Sequence, residues 1–326
     1  MIEPQDAAKI RSFLCVEEKK GGNPPSLPEG RPQVSRGVLM MKMRKWRGIG
    51  LLVIFYILFL CSAAMGEAQS QASLHLVRGM ELASQGAFDE ARKEFEESLK
   101  EDPSNATLLS SLKVIDDLDR RRIGSTYAAL LFKGLNYLRQ GMLEHAAEEL
   151  RKAIIMEPSY PRTYNLLGIV HSLGGDTLQA RTDFQKALDL DPNLSEASYN
   201  LASLYYGTGD FQNAATYFEM AVKNGACGVD TYMNLGASYS SLKKYPESIN
   251  AYLKATKLAP QDPKAFYSLG VAYFMDEEYS KSRSCLVEAR DLFEKRGDDK
   301  SVKEINIFLD KLSNTQKNMK TFEIQD

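Results

Sequence analysis

The sequence predicts an all-α fold in which pairs of helices repeat in series. Three observations predict it. Residues 127–296 divide without a gap into five units of 34 residues, beginning at Tyr127, Pro161, Ser195, Val229 and Pro263. Pro158, Pro192 and Pro260 fall at one place in their units, and Gly134, Gly168, Ala202, Gly236 and Gly270 at another. Within each unit, small and bulky residues follow helical spacing in two runs separated by a turn signal.

The unit has a physical logic. Position 8 is small in every copy, as just named. So are position 20 (Ala146, Ala180, Ala214, Ser248, Ser282) and position 27 (Ala153, Ala187, Ala221, Ala255, Ala289). Position 24 is large: Leu150, Phe184, Phe218, Tyr252, Leu286. Position 11 carries a ring: Tyr137, His171, Tyr205, Tyr239, Tyr273. Position 7 is Leu except at Lys133. Positions 4, 7, 8 and 11 share one face of a first helix, and 20, 24 and 27 share one face of a second. Small residues let antiparallel backbones approach while large ones fill the space beside them. Gly141, Gly175 and Gly209 at position 15 suit a left-handed cap between the helices, and Pro at position 32 stops the second helix.

This pattern resembles the tetratricopeptide repeat. Asn200-Leu201-Ala202 with Tyr205, and Asn234-Leu235-Gly236 with Tyr239, are similar to the family motif almost residue for residue. The resemblance implies a right-handed α-solenoid of helix–turn–helix repeats, first helices lining a concave face, and a role in binding other proteins. One branch of that family clamps acidic C-termini with basic residues at positions 2, 5 and 6. Here only Lys264 and Asn200 match in kind, which argues against that ligand.

In chain order, residues 1–41 read as a disordered or mis-annotated extension, since Gly21-Gly22-Asn23-Pro24-Pro25 and Pro28 block both helix and strand. Met40, Met41 and Met43 are alternative starts. Residues 42–68 read as a signal peptide or a single membrane anchor helix. Lys42, Arg44, Lys45 and Arg47 precede an uncharged run from Ile49 to Cys61, and small residues follow. Cuts after Ala64, Gly66 or Ala68 all place small residues at −3 and −1. Left uncut, residues 48–66 would span roughly 28 Å as a helix, enough for a bilayer core. Both readings place everything after residue 68 on the exported, periplasmic-type face of a cell envelope, inner-membrane anchored or released.

Residues 72–126 read as a separate repeat followed by a connector helix. Gly79, Leu82, Gly86, Ala91, Phe95, Ser98 and Pro103 hold their repeat positions, although His75 and Arg78 stand where apolar groups belong. Leu108, Leu109, Leu112, Ile115 and Leu118 make one stripe, and Arg120-Arg121-Arg122 reads as a solvated helix end. Residues 297–326 read as a capping helix and tail. Asp298-Asp299 can cap it, and Val302, Ile305, Phe308, Leu309 and Leu312 form its apolar face.

Composition bounds the function. The chain is 44% hydrophobic and 26% charged with net charge −2, so nothing points to nucleic acid. No cofactor, metal or small-molecule substrate is expected. The three histidines do not cluster, Cys227 and Cys285 are separated by a whole unit, and no phosphate loop, nucleophile elbow or zinc spacing occurs. An enzyme would need a polar cluster that the sequence lacks. Asn105-Ala106-Thr107 and Asn193-Leu194-Ser195 match a glycosylation pattern.

The concave row is the remaining candidate site. Positions 2, 5, 9 and 12 supply Leu131, Leu135, Leu138, then Arg162, Asn165, Ile169, Ser172, and further on Tyr199, Ser203, Tyr206, Met233, Ala237, Ser240, Lys264, Tyr267, Val271 and Phe274. The aliphatic members read as packing between units. Asn165, Tyr199, Asn200, Tyr206, Met233, Asn234, Lys264, Tyr267 and Phe274 are the candidate partner-binding residues, because rings supply area and amides hold backbone polar groups. The expectation is a non-catalytic scaffold that takes an extended or helical segment of a protein partner. The alternative is a non-catalytic tethering subunit of an envelope enzyme, secretion complex or polysaccharide-export complex.

Overall fold

The computed structural model describes residues 73–103 and 105–323, with residues 106 and 315–323 by backbone alone. The extension 1–41 and the signal or anchor segment 42–68 lie outside the described residues. Among the described residues there is no strand, and no helix is long and apolar enough to cross a membrane. The chain divides into two compact units between Gly141 and Met142. That boundary falls inside the first of the five 34-residue copies.

The first unit contains α1 (73–84), α2 (Phe88–Glu101), α3 (Ala106–Asp119) and α4 (Ser125–Arg139). Gly79 of α1 lies directly against Phe95 of α2, where an added Cβ would sit 2.5 Å from the ring. His75 and Arg78 replace apolar contacts with polar ones to Glu94: Nδ1 of His75 hydrogen-bonds its carboxylate at 2.6 Å and Nε of Arg78 pairs with it at 3.3 Å. Asn105 caps α3 by accepting from the Leu108 N–H at 3.1 Å. Leu108, Val114 and Ile115 are buried, whereas Leu109, one residue further round the helix, is exposed. Arg92 ties α2 to α3 through Asp116 at 2.9 Å and Asp119 at 2.5 Å. Arg120, Arg121 and Arg122 are exposed, and Arg122 pairs back to Asp117 at 3.1 Å. Phe132 of α4 stacks on Phe95, with centroids 5.9 Å apart.

The second unit runs α5 (Leu143–Met156), α6 (Pro161–Leu173), α7 (Thr177–Leu190), α8 (Ser195–Gly207), α9 (Phe211–Lys223), α10 (Val229–Ser241), α11 (Tyr245–Leu258), α12 (Pro263–Met275), α13 (Tyr279–Lys295) and α14 (Asp299–Glu323). Each helix packs on its sequence neighbour, and the first helices α6, α8 and α10 also meet in succession. The small-against-large code sets the approach within a pair. A Cβ added at Gly168, Gly236 or Gly270 would lie 2.6 Å from Phe184, 2.7 Å from Tyr252 or 2.9 Å from Leu286. Where position 8 is alanine, Ala202 packs in one buried cluster with Phe218. The alanines at positions 20 and 27 have no solvent exposure from α7 through α9.

The turn at position 15 is left-handed in every copy. Gly141, Gly175 and Gly209 have φ of 74°, 82° and 83°, and Lys243 and Glu277 adopt the same region at 59° and 63°. In the last four copies the N–H at position 16 reaches the carbonyl at position 11 over 2.9 Å: Asp176 to His171, Asp210 to Tyr205, Lys244 to Tyr239 and Glu278 to Tyr273. That bond satisfies a carbonyl the ending helix leaves open. Lys243 and Glu277 take this conformation although each carries a Cβ that disfavours it.

α14 packs on α13. The Asp298 carboxylate accepts from the Ser301 N–H at 3.1 Å and from its hydroxyl at 2.7 Å. Ile305, Leu309 and Leu312 are buried with Leu286 and Ala289 of α13, while Phe308 meets Phe274 of α12 edge-on at 5.2 Å.

Candidate partner-binding groove

The row of positions 2, 5, 9 and 12 does not present one uniform surface. In the first unit Leu131, Leu135 and Leu138 are buried, so α4 contributes packing and no open groove. Lys133, the exception at position 7, is exposed, whereas Leu167, Leu201, Leu235 and Leu269 at that position are buried. The apolar face of α4 is thus turned onto the residues that the repeat elsewhere assigns to the concave side.

In the second unit the row opens gradually from α6 to α12. On α6, Asn165 is 8% exposed and Ile169 5%. The Asn200 amide of α8 donates to the Asn165 oxygen at 2.9 Å, and Asn200 is itself buried. Arg162 reaches Glu196 of α8 at 3.2 Å. Tyr199 on α8 is half-buried; its hydroxyl accepts from the Asn234 amide of α10 at 3.2 Å, and its ring meets Phe218 edge-on at 5.6 Å. These three contacts join residues 34 or 35 apart and link successive first helices. The amides therefore act first as cross-ties of the array, a role their spacing did not reveal.

The other candidates sort by exposure. Tyr206 is half-buried, edge-on to Phe211 at 5.4 Å. Met233 is half-buried against a cluster of Ile249, Tyr252 and Leu269. Phe274 is half-buried against Tyr279 and Phe308. Lys264 is exposed, and Tyr267 one turn further along α12 is 38% exposed. Met275, at the end of the same helix and 48% exposed, belongs with them but was not singled out from the sequence. It lies one residue beyond the row's last position, where strict spacing excludes it. The row therefore carries half-buried rings on α8, a half-buried thioether on α10, and an exposed ring and cation on α12. Rings and Met give such a surface area and adaptability.

Chemistry elsewhere is sparse. Among the described residues no group of three or more His, Cys, Asp and Glu could hold a metal ion. Cys227 and Cys285 are free thiols, and burial pushes Cys285 up to about 11. His171 is mostly buried and hydrogen-bonds Asp183.

Antiparallel helix pairs that stack in sequence order define the class of α-helical repeat scaffolds. Models described as tetratricopeptide repeats match residues 72–105 and 159–225, and one described as TPR repeat matches residues 236–276. Residues 72–105, 159–225 and 236–276 of the chain are thus tetratricopeptide repeats. Similar solved structures include a MamA protein at 24% identity, covering 54% of this chain and 96% of that chain with a TM-score of 0.49. MamA 41-end from Desulfovibrio magneticus RS-1 is likewise 24% identical, covering 53% and 97%, with a TM-score of 0.48. YrrB, a TPR protein with an unusual peptide-binding site, is 20% identical, covering 55% and 91%, with a TM-score of 0.47. No curated protein matches the chain.

Proposed function

We propose that this protein is a non-catalytic interaction scaffold of the cell envelope whose groove on α8, α10 and α12 receives a segment of another protein. The observation that carries this reading is the gradient of exposure along one row of equivalent positions. A row that served packing alone would stay buried, as it does on α4 and at Asn165 and Ile169 on α6. On α12 its members Lys264 and Tyr267 are open to solvent, as is Met275 just beyond it. Surface rings and Met beside a polar rim suit an extended or helical segment. The envelope address rests on the order of basic, apolar and small residues at 42–68, which reads as an export signal or an anchor.

The test is affinity capture from a membrane-containing extract of the native source, using the chain from residue 69 as bait and mass spectrometry as readout. The double variant Tyr206→Ala/Tyr267→Ala should lose most of the captured partner while its circular dichroism stays unchanged. Unchanged capture would place recognition on another surface. Fractionation of the native protein tests the address separately: recovery in the cytosol with residues 42–68 intact would end the envelope reading.

A further inference from the structure

Position 11 carries a tyrosine in four of the five copies and His171 in one. Three of the tyrosines make contacts that involve no histidine. Tyr205 stacks on Tyr217 with centroids 5.6 Å apart, Tyr239 bonds Glu219, and Tyr273 lies under Lys281 at 5.6 Å. His171 is held differently. Its Nδ1 lies 2.6 Å from Oδ2 of Asp183 on α7, and its Nε2 lies 3.4 Å from a guanidinium nitrogen of Arg151 on α5. One imidazole thereby links three consecutive helices.

A single ring proton satisfies both contacts: Nδ1–H donates to Asp183, and the lone pair on Nε2 accepts from Arg151. A second proton removes that lone pair and places an imidazolium against a guanidinium. The bond to Asp183 survives as an ion pair, while the one to Arg151 cannot. Asp183 also attracts Arg151, and the other nearby acidic groups are engaged elsewhere. On α5, Glu148 and Glu149 are both engaged by Lys152 at 2.8 Å. Asp176, in the turn before α7, acts on Asp183 and has its carboxylate committed to the Gln179 N–H as a helix cap. On α8 the acidic group is Glu196, which is paired with Arg162 nine positions back toward the helix start. Asp183 itself is mostly buried, and burial holds its carboxyl above the usual range against the opposing pull of the His171 bond.

We propose that His171 makes the α5–α6 junction a pH-sensitive joint: closed while the ring carries one proton, released on the α5 side when it gains the second. The joint holds α5 against the helices that follow it and leaves the α6–α7 pair intact. No other copy has a histidine at position 11.

Amide hydrogen exchange of the chain from residue 69, compared at pH 7.5 and 5.5 and corrected for intrinsic exchange, reads the joint directly. Protection in α5 and the adjoining face of α6 should fall by about two- to tenfold at the lower pH, the size of one lost hydrogen bond. Protection in α10–α13 should not change in the same way. His171→Tyr installs the residue of the other copies, and Arg151→Gln leaves a neutral amide that can either donate to Nε2 or accept from it. Each should abolish the difference. A difference that persists in either folded variant, or is missing from the wild type, overturns the proposal.

Discussion

Helices α6 and α12 occupy the same place in their repeats and share the same buried Leu-Gly step, yet they show opposite surfaces. On α6 the row of positions 2, 5 and 9 is closed: Arg162 is paired, Asn165 accepts a bond from α8, and Ile169 is buried. On α12 the equivalent Lys264 and Tyr267 stand in solvent. The lesson is that the repeat code fixes which residues face the partner helix, while the neighbouring repeat decides whether the other side becomes core or groove. α4 makes the point more strongly, since there the whole row is core and the code's own position 7 is an exposed lysine.

The shared part of the code should tolerate least. Phe184→Ala would remove the ring that fills the space beside Gly168, at a cost of about 3–5 kcal/mol in denaturant unfolding. A cost below about 1 kcal/mol would mean that the pair does not depend on this contact. The closed end should come next. Asn200→Ala strands the buried Asn165 amide oxygen, for about 1–3 kcal/mol. Tyr267→Ala at the open end should stay within about 0.5 kcal/mol in the same assay. Equal losses at Asn200 and Tyr267 would erase the distinction between the two ends.

Turns give a smaller effect of opposite sign. Lys243→Gly or Glu277→Gly should raise stability by about 1 kcal/mol, because each replaces a side chain held at positive φ. Smallest is a pH effect beside α12. The Cys285 thiol is raised to about 11 by burial, from an ordinary value of about 8.5. Its neutral form contributes stability that is fully present below about pH 8.5 and lost as pH rises through about 11. The unfolding midpoint should therefore fall less steeply over that window in Cys285→Ala than in the wild type.

Much of the fold was legible because it depends on contacts within one unit. Gly168 with Phe184 and Gly236 with Tyr252 lie 16 residues apart, and Asp298 caps its own helix, so spacing alone placed them. The groove was less legible because it depends on contacts one repeat away. Asn234 looked like a ligand-binding amide until the Tyr199 hydroxyl, 35 residues back, proved to be its acceptor. His75 and Arg78 looked like defects in a repeat until Glu94 supplied the charge they meet. Leu109 was assigned to the buried stripe of α3 by periodicity, which does not tell where the edge of the covered face falls.

The turns at Lys243 and Glu277 have one more implication. They follow α10 and α12, two of the helices whose outer row is least covered, and they set a positive and a negative side chain at successive corners where the glycine copies have none. Glycine at both corners would make a sturdier molecule with a blander margin. Selection for thermal robustness and selection for discrimination between ligands would then pull these two sites in contrary directions.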